Sequence, residues 1–158
     1  MIIEEVEDMA AALPAHAPVI GLDLGDKTIG VALSDTLLSI ASPVETIRRK
    51  KFGIDADRLL QIIADRQVGG IVLGLPRNMD GSEGPRCQST RAFARNLSRL
   101  TELPIGYWDE RLSTVAAERA LIEADTSRAK RAGKIDNVAA SFILQGFLDR
   151  LRHLKGTA

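Results

Sequence analysis

Cysteine and histidine are nearly missing from this sequence. Its 158 residues hold one cysteine, Cys87, and two histidines, His16 and His153. An internal disulfide is thereby excluded, and so is a Cys/His zinc centre, which takes about four such ligands. Cys87 reads as a small packing residue. Aromatics are scarce as well, with one tryptophan, one tyrosine and four phenylalanines. Tyr107 and Trp108 sit together on one apolar run, so they read as core rather than as a platform for stacking bases. Net charge is absent: 21 Lys and Arg balance 21 Asp and Glu, which argues against the blanket basicity of many nucleic-acid binders. No apolar run approaches the roughly 20 residues of a membrane span. The N-terminal MIIEEVEDMAAAL is acidic and lacks the basic region of a secretory signal. The expectation is a cytoplasmic protein with no membrane association.

The charge that is present is unevenly spread. Glu4, Glu5, Glu7 and Asp8 precede the first long apolar run, whereas Arg48-Arg49-Lys50-Lys51 and Arg128, Lys130, Arg131 and Lys134 form two basic clusters. The length suits one domain with a proper core. No linker or internal repeat divides it. Residues 1–17 read as an N-terminal extension, a short helix ending near Pro14 or a disordered appendage, and residues 18–154 as the single domain.

Val19 to Leu24 is apolar except for Asp23, the pattern of a central strand covered on both faces. Gly25-Asp26-Lys27-Thr28 then turns the chain, with Gly25 able to supply a positive φ, and Ile29 to Leu33 returns as a hairpin partner. Ser42 to Ile47 is a plausible third strand. A helix from about Asp55 to Arg66 follows, then a buried parallel strand, Ile71 to Leu75, and a loop of turn formers, PRNMDGSEGP. Arg86 to Leu100 reads as a helix with Phe93, Leu97 and Leu100 on one face, and Ile105 to Trp108 as a strand running into Asp109-Glu110-Arg111. Ser113 or Thr114 can cap a further helix that fades near Asp125. The polar, basic TSRAKRAGK predicts a loop, and Ile135 opens the last helix with Asp136 in its first turn. The fold class is therefore α/β: a mixed five-stranded sheet, antiparallel hairpin strands plus parallel strands, with helices on both faces.

Active sites on such sheets collect at the carboxyl ends of the parallel strands. Asp23 and Glu110, with Asp109 beside it, belong at that edge, and Asp136 begins the final helix. A lone buried carboxylate costs several kcal/mol unless something compensates it. Converging carboxylates without Cys or His are hard oxygen ligands suited to Mg²⁺ or Mn²⁺. Two such ions roughly 4 Å apart serve phosphodiester hydrolysis. Each acid alone has a plainer reading: Asp23 as a turn hydrogen-bond acceptor, Glu110 as a partner of Arg111, Asp136 as a helix-start residue.

The segments GLDLGDKTIGVALSD, IVLGLPRNMDGSEGP, DERLSTVAAERAL and KIDNVAASFILQGFL resemble, in order and spacing, the bacterial YqgF/RuvX family. Its members are named as pre-16S rRNA nucleases and also as Holliday junction resolvases, and have the RNase H-like fold. The resemblance covers about residues 19–149. It implies catalytic, metal-binding carboxylates at Asp23, Glu110 and Asp136, probed below against Asp109, whose side chain should point opposite to that of Glu110. It implies a metal-dependent endonuclease, with precursor 16S rRNA as the leading substrate and a four-way DNA junction as the alternative. Phosphate contacts are expected from Lys27, the loop from Gly74 to Pro85, Arg77 and Arg111, the last also a candidate ion-pair partner of Asp109. The loop carrying Arg128, Lys130, Arg131 and Lys134 is expected to grip a backbone without reading sequence. The expected assembly is a monomer or weak homodimer. Two rivals stay open: a phosphate-clamping hairpin like that of the sugar kinase, actin and Hsp70 superfamily, which needs a second domain, and a non-catalytic nucleic-acid-binding module.

Overall fold

In the computed structural model, residues 1–112 and 132–156 are described, the side chains of 132–137 and of 156 excepted. The strands are β1 (Ile2–Ile3), β2 (Val19–Leu24), β3 (Thr28–Ser34), β4 (Ala41–Arg48), β5 (Gly70–Leu75) and β6 (Ile105–Asp109). The helices are α1 (Val6–Ala12), α2 (Phe52–Arg66), α3 (Pro85–Ser98) and α4 (Ala132–Gly156), with a single 3₁₀ turn at Glu110–Leu112. The strands form one sheet in the order β1-β6-β5-β2-β3-β4. β1, β6, β5 and β2 run parallel, and β3 is antiparallel to both β2 and β4.

The mixed α/β sheet is as expected, but it has six strands rather than five. The additional strand comes from the residues expected to form an appendage: Ile2 and Ile3 pair with Ile105 and Gly106, and Met9 of α1 is buried against the sheet. Two residues carry no periodicity, so a strand this short is invisible until its distant partner is known. Other boundaries move by a few residues. Gly53 lies inside α2 rather than before it, and α3 begins at Pro85, a residue preorganised for the first helical position. Leu100 is exposed beyond the end of α3 rather than on its apolar face. α4 begins at Ala132, so Asp136 stands in its second turn, not its first. The helix expected between Ser113 and Asp125 lies outside the described residues.

Strand alternation separates two cores. Ile20 and Leu22 of β2, Ile29 and Val31 of β3, Ile71, Leu73 and Leu75 of β5, and Ile105 and Tyr107 of β6 pack against α2 and α3. Val19, Ala32, Val72 and Trp108, their neighbours in sequence, pack on the other face against Met9 and α4. The buried positions of β2 and β5, Asp23 excepted, are apolar on both faces because each face has a helical cover. The chemistry of every strand-borne residue follows from which of these two faces it joins.

Candidate active site at the carboxyl edge of the sheet

Asp23 belongs to the α4 face. It follows Val19 and Gly21 in the alternation, and only 3% of it is exposed. Its neighbours across the sheet carry no side chains: Asp23 pairs with Gly30 on β3. On the other side the β2–β5 register runs through Leu22 and Leu73, which sets Gly74 beside Asp23. A glycine also precedes Asp23 by two residues on the same face, at Gly21. Three glycines therefore border Asp23, and the space they leave on this face is taken up by other side chains, Leu144 over Gly21 and Ile143 and Glu110 over Gly74.

Gly74 also admits the second acid. A Cβ placed there would lie 2.9 Å from Glu110 Oε2 and 2.5 Å from Ile143 Cδ1. The Glu110 carboxylate thus reaches over Gly74 from the end of β6 towards Asp23, on the face that α4 covers. Asp109 goes the other way. It follows Ile105 and Tyr107 onto the α3 side, where its Oδ2 accepts from Arg111 Nη2 at 2.7 Å and lies 3.8 Å from Arg77 Nη1. Burial works to raise the Asp109 carboxyl, but the Arg111 side-chain and backbone donors, with the charge of Arg77, together hold it below the usual range. The adjacent acids are therefore sorted by the parity of one strand, with Glu110 on the side of Asp23.

The backbone of α4 brings in position 136. Ala140 and Leu144 lie against Gly21, and Ile143 against Gly74. The C-terminal half of α4 heads for the opposite end of the sheet, where Gln145 and Arg152 both donate to the Ser39 carbonyl. The N-terminal half accordingly runs towards the Asp23 end. Position 136 is four residues before Ala140, about 6 Å along the helix, and Asp23 is two residues beyond Gly21, about 6.6 Å along the strand. The two backbones keep pace.

The expected phosphate-binding residues fare differently. Lys27 is exposed at the hairpin tip, at the same edge as Asp23. Arg77 and Arg111 are engaged in a network on the α3 side. Arg77 lies 3.4 Å from Glu83, which Arg91 also binds at 2.6 Å. Arg111 covers Gly81, the glycine with positive φ among the described residues, and donates to the Met79 carbonyl at 3.5 Å. Gly25, expected to hold that conformation, does not; it closes the hairpin by donating to the Thr28 carbonyl. Arg128, Lys130 and Arg131 lie outside the described residues, and Lys134 is placed by backbone only, in the first turn of α4. Tyr107 and Trp108 are core residues, as expected. Among the described residues no helix is long and apolar enough to cross a membrane, and no three His, Cys, Asp or Glu side chains gather at one point.

What was not assigned to Gly74 from sequence, where it is expected as the first residue of a phosphate-contacting loop, is a role inside β5. Its signal was present: a lone glycine closing an otherwise branched apolar run, Ile71-Val72-Leu73-Gly74, marks a close approach within a strand. The two carboxylates on either side of it, with no sulfur or imidazole among the described neighbours, are the hard oxygen donors that suit a divalent cation.

This fold has solved counterparts. Thermus thermophilus RuvC, in a structure titled as a complex with Holliday junction substrate, aligns with a TM-score of 0.55 at 14% identity, covering 90% of this chain and 98% of that one. At that identity the likeness concerns the fold, which is RNase H-like. A family profile described as "RuvX: Holliday junction resolvase" matches residues 17–150. A protein of Ruegeria sp. (strain TM1040), named "Putative pre-16S rRNA nuclease", is 70% identical over 157 residues, 99% of this chain and 100% of its own. One of the same name from Ruegeria pomeroyi is 71% identical over 154 residues, 98% of this chain and 100% of its own. The chain belongs to the RuvX family, and it is a nuclease.

Proposed function

We propose that this chain is a metal-dependent endonuclease that trims precursor 16S rRNA in the cytoplasm, with Asp23, Glu110 and Asp136 holding Mg²⁺ or Mn²⁺. The observation that carries the reading is the approach of Glu110, across Gly74, to the buried Asp23. Two acids far apart in sequence share one glycine-lined corner at the carboxyl edge, where sheets of this type place their chemistry.

When bound, the divalent ions supply Lewis acidity and a lowered pKa for water at the scissile phosphate. The chain's own residues do the rest. Asp23, fixed in the middle of the sheet, cannot swing away from the site. Glu110 closes the corner from β6, and Asp136 is brought from α4 as the third ligand. Gly74 lets Glu110 pack against the strand beside Asp23, and Lys27 at the hairpin tip can hold a phosphate. Arg77 and Arg111 serve by anchoring Asp109 on the far face, so that its charge does not compete for the cation. The substrate assignment follows the names of the two Ruegeria relatives, and a monomer or weak homodimer suffices for it.

The test gives the purified protein a precursor 16S rRNA and a four-way DNA junction in parallel, with Mg²⁺, with Mn²⁺ and with chelator. Cleavage of the RNA should need metal and vanish in Asp23→Asn and Asp136→Asn, and Glu110→Gln should lose far more than Asp109→Asn. Full activity in either well-folded aspartate variant would refute the three-carboxylate site. Preferential cleavage of the junction would assign branched DNA instead, and metal-dependent binding without cleavage would make the domain a binding module.

A further inference from the structure

On the opposite side of the hairpin from Asp23 there is a second cleft, of about 430 Å³, bounded by Leu24 and Gly25 of the hairpin, Arg49 and Lys50 before α2, and Arg86 and Ser89 of α3. Leu24 is the strand neighbour of Asp23 and faces the other way, so cleft and acids sit back to back at one sheet edge. Three cations line the cleft against one carboxylate, Asp26.

Many of the arginines elsewhere are neutralised, whereas these cations, like Arg48, Arg66, Arg95 and Arg99, have no ion pair among the described residues, and they alone converge on one cleft. Arg58, Arg77, Arg91, Arg111, Arg150 and Arg152 all have acidic partners. Among the described residues, no ion pair engages the side chains of Arg49, Lys50 or Arg86. Arg49 is fixed in place without being neutralised: its guanidinium donates to the Gly25 carbonyl at 2.7 Å and lies 5.9 Å from the centre of the Phe93 ring. Lys50 is tethered by its backbone, which donates to the buried Asp55 at 3.0 Å, leaving the ammonium exposed. Arg86 is exposed in the first turn of α3, a helix of 14 residues whose N-cap, Gly84, offers no side-chain hydrogen bond. The positive end of that helix adds to the field of the side chains. Fixed, unneutralised cations at a cleft mouth are arranged for an anion from outside.

We propose that this cleft, through Arg49, Lys50 and Arg86, binds a backbone phosphate of the nucleic-acid strand flanking the scissile position. The inference rests on the nuclease reading for its choice of anion. A strand whose scissile phosphate lies at Asp23 and Glu110, and which crosses the hairpin tip, continues into the cleft. The contact is to phosphate, so it positions the strand and does not read its sequence.

The experiment measures binding of a fluorescently labelled single-stranded RNA by anisotropy across a KCl series, in the full chain carrying Asp23→Asn to prevent cleavage. In that background Lys50→Gln with Arg86→Gln should flatten the slope of log K against log salt by about 0.7, the share of one phosphate on a single strand, and weaken binding about fivefold at 0.1 M salt. The charge-conserving pair Lys50→Arg with Arg86→Lys should restore both. Arg95→Gln with Arg99→Gln, which removes the same charge from the exposed far end of α3, should leave the slope unchanged. An unchanged slope in the Lys50/Arg86 pair, or an equal fall in the Arg95/Arg99 pair, would overturn the cleft while leaving the cleavage of unsubstituted protein as the separate measure of the nuclease reading. A flattened slope in a chain that cleaves nothing would keep the cleft and remove the nuclease.

Discussion

Replacing Gly74 by alanine tests the site through a single methyl group. The added Cβ would stand 2.5 Å from Ile143 Cδ1, 3.1 Å from Ile143 Cγ1 and 2.9 Å from Glu110 Oε2, where carbon contacts settle at about 3.5 to 4.0 Å. Ile143 is fully buried and has to give by about 1 Å. Overpacking of this kind costs about 1 to 3 kcal/mol. Because the clashing atoms are side-chain ends that can rotate, a cost of about 1 to 2 kcal/mol is expected, lowering Tm by about 2 to 8 °C for a chain of this size. The effect on turnover should be larger, since Glu110 must retreat by a comparable distance and a 1 Å misplacement of a reacting group costs about 100-fold. Thermal melting and single-turnover cleavage of precursor rRNA read the two effects separately. Adding Ile143→Val removes the Cδ1 atom, so the double variant should regain stability relative to Gly74→Ala while remaining slow. Turnover restored together with Tm would show that the methyl acts through the packing of α4 and not through Glu110. Undiminished turnover in Gly74→Ala itself would refute the placement of Glu110 in the site.

Two further outcomes concern the scaffold. The Asp35 carboxylate accepts from the Ser39 hydroxyl at 2.6 Å and from the Ser39 and Ile40 amides at 2.7 and 3.0 Å, and these bonds, the hydroxyl first, hold its carboxyl down at about 2 against an ordinary 3.8. A group depressed on folding contributes stability above its unfolded value and loses it as pH falls through the folded one, so the Tm gap between wild type and Asp35→Ala should be constant above about pH 4 and close towards pH 2; a gap unchanged across that range would contradict the assignment. Gly53→Ala, where a Cβ would meet nothing within 4 Å inside α2, should raise stability by about 0.5 kcal/mol in a urea melt, and a loss would mean that the start of the helix is not formed as described.

The central part of the fold was legible because it is local. The runs Val19–Leu24 and Gly70–Leu75 are apolar at every buried position except Asp23, and only a strand covered on both faces uses residues that way. The acid inside the first run announced itself by the cost of burying it. What stayed hidden depends on partners remote in sequence. Ile2 and Ile3 become a strand only because Ile105 and Gly106 offer an edge. Arg77 and Arg111 look in sequence like any cations beside a site, and their engagement with Glu83 and Asp109 arises from the loop that folds Met79 and Gly81 back over Arg111. Conversely, the basic cluster Arg48 to Lys51 gains a partner only in the fold, which sets Arg49 and Lys50 opposite Arg86. The acids on β2 and β6 were found by type and position; that Gly74 lies between them is information about register, which no local pattern contains.

The opposed directions of Asp109 and Glu110 have a consequence for how this chain can vary. Chemically the two carboxylates are near equivalents, yet one is committed to Arg111 and the other to the corner beside Asp23. Substituting one acid for the other within a position changes only reach. Inserting or deleting a single residue between Ile105 and Asp109 would reverse every side chain downstream, sending Glu110 to the arginines and its neighbour to the site. The number of residues in this segment is therefore constrained as well as their kind.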